Sequence, residues 1–90
     1  STLSLDKNHE NKLIVYPNPA KNNIQIENLN SSVKSVSIYN IQGRKVMEES
    51  LNTSKSKIEI NISSLVDGLY LLNFLNENGS QTTKKIVILN

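Results

Sequence analysis

Ninety residues, 37% of them hydrophobic, suit one compact domain with a single core. Ten basic and eight acidic residues give a net charge of +2, and the scattered lysines argue against nucleic acid as a partner. The lack of cysteine excludes disulfides and thiolate metal sites, and no apolar run approaches the ~20 residues of a membrane span.

The first twelve residues differ in character from the rest of the chain. They mix polar and charged side chains with only Leu3 and Leu5 as large apolar residues. Such a segment buries little surface, so residues 1–12 are predicted to be a flexible linker. Because no basic and apolar signal segment begins the chain, any export signal of that kind would lie on a longer precursor.

Alternating apolar runs from residue 13 onward predict about seven short strands. Turn signals separate them at intervals of about 8–12 residues, which is typical of a sandwich or barrel. The chain is therefore expected to form an all-β, immunoglobulin-like antiparallel β-sandwich over residues 13–90. The predicted strands cover residues 13–16, 23–28, 33–41, 44–51, 57–62, 69–75 and 82–89.

Local residues refine several of these elements. The two prolines of the chain, Pro17 and Pro19, are predicted to end the first strand at a rigid corner. Gly43 predicts a tight turn, after which residues 44–51 fit a strand better than a helix. Residues 63–68 predict a compact loop with room for one helical turn. Residues 69–75 are apolar on both faces, so this strand should be central and covered on both sides.

Few residues have a pattern that points to catalysis or metal binding. The one histidine, His9, lies in the predicted linker, and Glu48 and Glu49 should point to opposite faces of a strand. We therefore predict no catalytic residues, metal site or cofactor. Among the aromatic residues, Tyr70 and Phe74 are expected in the core, Tyr16 over the proline corner and Tyr39 at the surface.

Two lysines, Lys84 and Lys85, begin the apolar half of the last predicted strand. Lysine on an exposed sheet edge hinders pairing with another chain. The doublet therefore predicts either a protected edge strand or a basic patch that a partner recognises.

Four segments of the chain resemble the type A C-terminal sorting domain of type IX secretion cargo in Bacteroidetes. They are the Tyr-Pro-Asn-Pro sequence at residues 16–19, residues 36–44, residues 62–70 and residues 84–87. The resemblance implies an immunoglobulin-like sandwich that directs cargo through an outer-membrane translocon. Members often have one lysine where this chain has two. The motif positions fall on Tyr16, Pro17, Asn18, Pro19, Gly43, Arg44, Gly68, Tyr70, Lys84 and Lys85.

The same resemblance implies partners and a destination. An upstream cargo domain would precede the linker, and a sortase-like peptidase would cut within residues 1–12. Cargo would then be joined to lipopolysaccharide or released, so the destination is the cell surface or the extracellular medium. Edge strands would also permit weak self-association.

The residues themselves leave other functions open. Gly43 and Gly68 suit turns and Tyr70 suits a core, with no need of a translocon. One alternative is a carbohydrate-binding or adhesion sandwich, which would need a cluster of exposed aromatic or metal-binding side chains; Tyr39 is its candidate. Another is a fibronectin-like spacer between domains.

Overall fold

The structure is a computed structural model that describes residues 13–29, 32–51 and 56–90. The predicted linker over residues 1–12 lies outside these described residues. The described part contains seven strands and no helix, so residues 44–51 do contribute a strand. The strands are β1 (Ile14–Lys21), β2 (Asn23–Glu27), β3 (Val33–Tyr39), β4 (Lys45–Ser50), β5 (Lys57–Asn61), β6 (Gly68–Asn76) and β7 (Gln81–Ile88).

The strands form two sheets that share β1. The smaller sheet joins β1, β2 and β5 by antiparallel pairing. The larger sheet has the antiparallel order β4, β3, β6, β7, and the end of β1 joins it where Ala20 pairs in parallel with Ile88. The predicted all-β sandwich is confirmed.

The prediction that the prolines end the first strand is wrong. β1 continues through Pro17 and Pro19 to Lys21, and the peptide bond before each proline is cis. Proline has no N–H to donate, so the regular register with β2 stops at Tyr16 and resumes only at Lys21. The proline segment is therefore where β1 passes from the smaller sheet to the larger one.

Side chains that alternate along the strands fill the space between the sheets. Ile24 and Ile26 of β2 and Val36 and Ile38 of β3 are buried, as are the two predicted core rings, Tyr70 and Phe74. Shortening a buried ring such as Phe74 to alanine typically costs about 3–5 kcal/mol. The core consists of Leu13, Ala20, Ile24, Ile26, Leu29, Val33, Val36, Ile38, Ile60, Ile62, Tyr70, Leu72, Phe74, Ile86 and Ile88.

The central position of β6 in its sheet was predicted correctly, but the burial of both of its faces was not. β6 lies between β3 and β7, and its inward residues Leu72 and Phe74 are fully buried. On the other face Leu69 is exposed, while Leu71 and Leu75 are only half-buried. The expectation of cover on both sides is wrong, because no described segment packs on the outer face of this sheet.

Glycines close the turn predicted at Gly43 and the hairpin between β6 and β7. The N–H of Gly43 donates to the carbonyl of Asn40 and that of Gly79 to the carbonyl of Asn76, each at 2.9 Å. Both glycines have positive φ, +82° and +92°, which side chains disfavour. The loop between β5 and β6 contains a turn closed by the N–H of Leu65 and no helix.

Candidate functional site

Asn18 connects the first strand to the last. Its side-chain Oδ1 accepts a hydrogen bond from the backbone N–H of Val87 at 2.9 Å. Two residues on, the carbonyl of Ala20 accepts one from the N–H of Leu89, also at 2.9 Å. The carboxamide thus takes the place of a backbone acceptor and extends the contact between β1 and β7 into the proline segment.

Tyr16 lies on the smaller sheet, away from that contact. Its hydroxyl donates a hydrogen bond to the carboxylate of Glu27, and Lys57 Nζ lies 3.4 Å from the same carboxylate. The hydrogen bond lowers the pKa of Glu27 and raises the pKa of Tyr16, and the bond with Glu27 raises the pKa of Lys57. Tyr16 is 36% exposed whereas Tyr39 is half-buried, so the expectation that Tyr39 is the exposed ring was wrong.

Gly43 and Arg44 belong to the turn between β3 and β4. The side chain of Asn40 organises this turn, because its Oδ1 accepts hydrogen bonds from the N–H of Gln42 at 2.9 Å and of Arg44 at 3.0 Å. Arg44 is exposed and forms no ion pair with a described residue. The turn therefore presents both Arg44 and the neighbouring Ile41 to the surroundings.

Gly68 and Tyr70 begin β6, and the ring of Tyr70 is buried. Its hydroxyl donates a 2.6 Å hydrogen bond to the carbonyl of Val66, which fixes the preceding loop against the core. Gly68 has φ +155°, a conformation that side chains rarely adopt. Together these residues line an open groove of about 260 Å³ with Asn40, Ile41, Gln42, Val66, Asp67 and Leu69.

Lys84 and Lys85 point to opposite faces of β7. Lys84 pairs with the inward residue Leu72 and is half-buried, whereas Lys85 pairs with the outward Leu71 and is exposed. β7 is not a full edge strand, because its end pairs with β1. On the side that faces β1, the first half of β7 pairs with no described residue. The backbone N–H of Lys85 points to this open side, because N–H groups two residues apart on a strand point the same way and that of Val87 points to Asn18 of β1.

Asn90 was missed by sequence reasoning, yet it makes the densest set of polar contacts at this end of the sandwich. Its Nδ2 donates to the carbonyls of Ile62 at 3.0 Å and Leu65 at 2.6 Å. Its Oδ1 accepts from the N–H of Asn22 at 2.8 Å, and its own N–H donates to Asp67 at 2.7 Å. In a chain rich in asparagine, no local pattern distinguishes this residue.

The structure brings together some of the predicted motif residues and separates others. Gly68 and Tyr70 share a groove with the turn that contains Gly43, and Asn18 contacts the last strand beyond Lys85. Tyr16 belongs to the other sheet. The candidate site is therefore the end of the larger sheet, where two turns and the close of β7 meet.

The chemistry available in the described residues is limited. They contain no group of three histidine, aspartate or glutamate side chains that could hold a metal ion. None of their segments is a helix of the length and apolarity needed to cross a membrane.

The fold and the site define a small β-sandwich whose distinctive residues lie on turns and strand ends. A similar architecture occurs in a DUF3244-family protein of Bacteroides vulgatus with an immunoglobulin-like β-sandwich fold. The two align with a TM-score of 0.68 at 17% sequence identity, over 83% of this chain and 82% of that one. This likeness confirms the immunoglobulin-like fold.

Residues 14–89 match the family described as the secretion system C-terminal sorting domain. The chain belongs to this family, which confirms the resemblance to the type IX sorting domain. It is also 34% identical over 88 residues to ulvan lyase NLR42 of Nonlabens ulvanivorans; the match covers 97% of this chain but only 16% of that relative. Membership implies export to the cell surface or the extracellular space.

Proposed function

We propose that this chain is a non-catalytic export signal, recognised as a folded domain by the type IX outer-membrane translocon. The observation that carries the proposal is the family match over residues 14–89, which includes all seven strands. In this proposal the motif residues serve recognition as well as folding.

The domain is attached to an upstream cargo domain that it carries out of the cell. The chain matches about a sixth of the length of a lyase, which supports attachment to a much larger secreted protein. A sortase-like peptidase then cuts within residues 1–12, and the cargo is anchored or released. Edge strands such as the first half of β7 allow only weak self-association.

A fusion experiment tests the export role. The 90-residue chain is placed behind a fluorescent protein that reaches the periplasm, in a host with a functional type IX system. We expect fluorescence at the cell surface or in the medium, and retention of the same fusion in a host that lacks the translocon. Retention in the competent host would refute the proposal. Cleavage is checked separately by the mass of the exported protein.

A shortened fusion separates recognition from folding. Residues 81–90 are deleted from the fusion, and the unfolding transition of the corresponding purified chain is measured. Deletion of β7 can stop export simply by unfolding the domain. Loss of export therefore supports recognition of the folded surface only if a variant that stays folded, and differs only in surface side chains, also remains in the periplasm. The substitutions at Ile41, Val66 and Lys85 described below serve that purpose.

A further inference from the structure

Two exposed apolar side chains face the groove at the end of the larger sheet. Ile41 and Val66 are each 76% exposed, and they come from different turns, one before β4 and one before β6. Leu69, 43% exposed, lies in the same groove. Apolar side chains scattered singly on a surface need no explanation, but these three are neighbours.

The apolar surface continues from the groove onto the last strand. Leu69 pairs with Val87 across β6 and β7. Val87 and Leu89 alternate with the buried Ile86 and Ile88, so they occupy the outer side of the sheet. We call this surface the loop-end patch; it consists of Ile41, Val66, Leu69, Val87 and Leu89.

The conformation of the loop-end patch is fixed from within the fold. The hydroxyl of Tyr70 holds the carbonyl of Val66, and Asn90 binds Leu65 and Asp67 in the same loop. Across the groove, the side chain of Asn40 holds the turn that presents Ile41. A surface fixed in this way loses little conformational entropy when it binds a partner.

The exposed side chains beside the patch have a net positive charge. Lys85 lies on the same outer face, opposite Leu71, and has no ion pair with a described residue. Asp67 lines the groove and keeps its negative charge, although its carboxylate accepts the N–H of Asn90. Arg44, next to the turn that presents Ile41, is exposed and also has no ion pair with a described residue, so basic side chains outnumber acidic ones beside the patch. A partner that covers the patch is therefore electrostatically complementary when it places a carboxylate against Lys85.

We propose that the loop-end patch is the surface by which the export machinery binds this domain, through a protein that presents apolar side chains bordered by carboxylates. This inference rests on the proposed export function and names the part of the fold that is recognised. It predicts that recognition depends on Ile41 and Val66, which contribute almost nothing to the core, and on the charge of Lys85.

The test uses the fluorescent fusion with substitutions on and off the patch. Ile41→Ser combined with Val66→Ser should leave the unfolding midpoint nearly unchanged, because both side chains are largely exposed. Export should fall at least about tenfold, as for loss of central apolar anchors. Lys85→Glu should also reduce export, whereas Lys85→Arg should retain it. The matched control is Ile14→Ser, which alters a 42% exposed isoleucine on β1 of the smaller sheet.

The outcomes separate this inference from the function on which it rests. If the unaltered fusion is not exported, the proposed function fails. If it is exported and the double variant is exported equally well, only the loop-end patch is refuted. If sedimentation shows that the purified chain self-associates and the double variant does not, the patch binds a second copy and the proposed partner is wrong. A photo-crosslinker at position 66, but not at 14, should capture an export protein.

Discussion

The backbone N–H of Asn90 donates a 2.7 Å hydrogen bond to the carboxylate of Asp67, in the loop that precedes β6. The side chain of the same residue binds two carbonyls of that loop and the N–H of Asn22. Asn90, two residues beyond the last strand, thus connects the loop between β5 and β6 with the turn between β1 and β2. Its contacts also hold the loop that presents Val66.

Replacing Asn90 by alanine should destabilise the domain by about 1–2 kcal/mol, because three partly exposed hydrogen bonds are lost. Urea unfolding of the purified chain measures this change. Asn23→Ala is a matched control, since the Asn23 side chain makes no hydrogen bond to a described residue. Equal stability of the two variants would show that the Asn90 contacts contribute nothing.

Removal of the Asn18 carboxamide should weaken the contact between β1 and β7. Asn18→Ala deprives the N–H of Val87 of its acceptor and should cost about 0.5–1.5 kcal/mol. Asn18→Asp keeps an acceptor oxygen and should cost less. Hydrogen exchange gives the local measurement: the amide of Val87 should exchange faster in the alanine variant than in the aspartate variant. The same exchange rate in both would contradict this role.

The backbone of Gly43 makes a third prediction. A Cβ at this position would meet nothing within 4 Å, so any cost of substitution comes from the positive φ of +82°. Gly43→Ala should destabilise the domain by about 1–2 kcal/mol, and Gly43→Asn by less, because asparagine tolerates this conformation better. Thermal unfolding distinguishes the two. An asparagine variant less stable than the alanine variant would argue against a purely conformational cost.

Acidification should remove one contribution to stability. The pKa of Glu27 is held below its ordinary value of 4.5 by the Tyr16 hydroxyl and then by Lys57, so its ionised form is favoured in the folded state. That contribution is present above the unfolded pKa and is lost as the pH falls through the folded one. Carbon NMR of the Glu27 carboxyl should show the lowered midpoint, and Tyr16→Phe should raise it. A midpoint unaffected by Tyr16→Phe would contradict the assignment.

Much of the fold could be predicted because burial on one face imposes alternation. Ile24, Ile26, Val36 and Ile38 follow that rule, and their strands lie where the pattern places them. The path of β1 did not follow from the prolines. Each proline indicates that a backbone N–H donor is missing. Whether the chain then turns or passes to the other sheet depends on distant partners, such as Val87, which bonds to Asn18 across 69 residues.

The candidate site was only partly predictable, for a related reason. Local sequence indicates that Gly43 and Gly68 lie in turns, but not that the two turns face one groove. Apolar residues on both faces of β6 predict that both faces are covered, but they do not show whether another segment of the chain packs against the outer face. Asn90 gave no signal at all, because its importance lies in four contacts made across the fold.

The pairing of β1 with β7 sets the order in which the domain can be completed. Asn18 bonds to Val87, 69 residues later, and Asn22 bonds to Asn90, 68 residues later. Contacts so distant in sequence form late, and these two cannot form before residues 87 and 90 have been synthesised. The loop-end patch takes its final shape only after Asn90 is in place. A partner that binds this surface would thereby select chains whose synthesis has passed that residue.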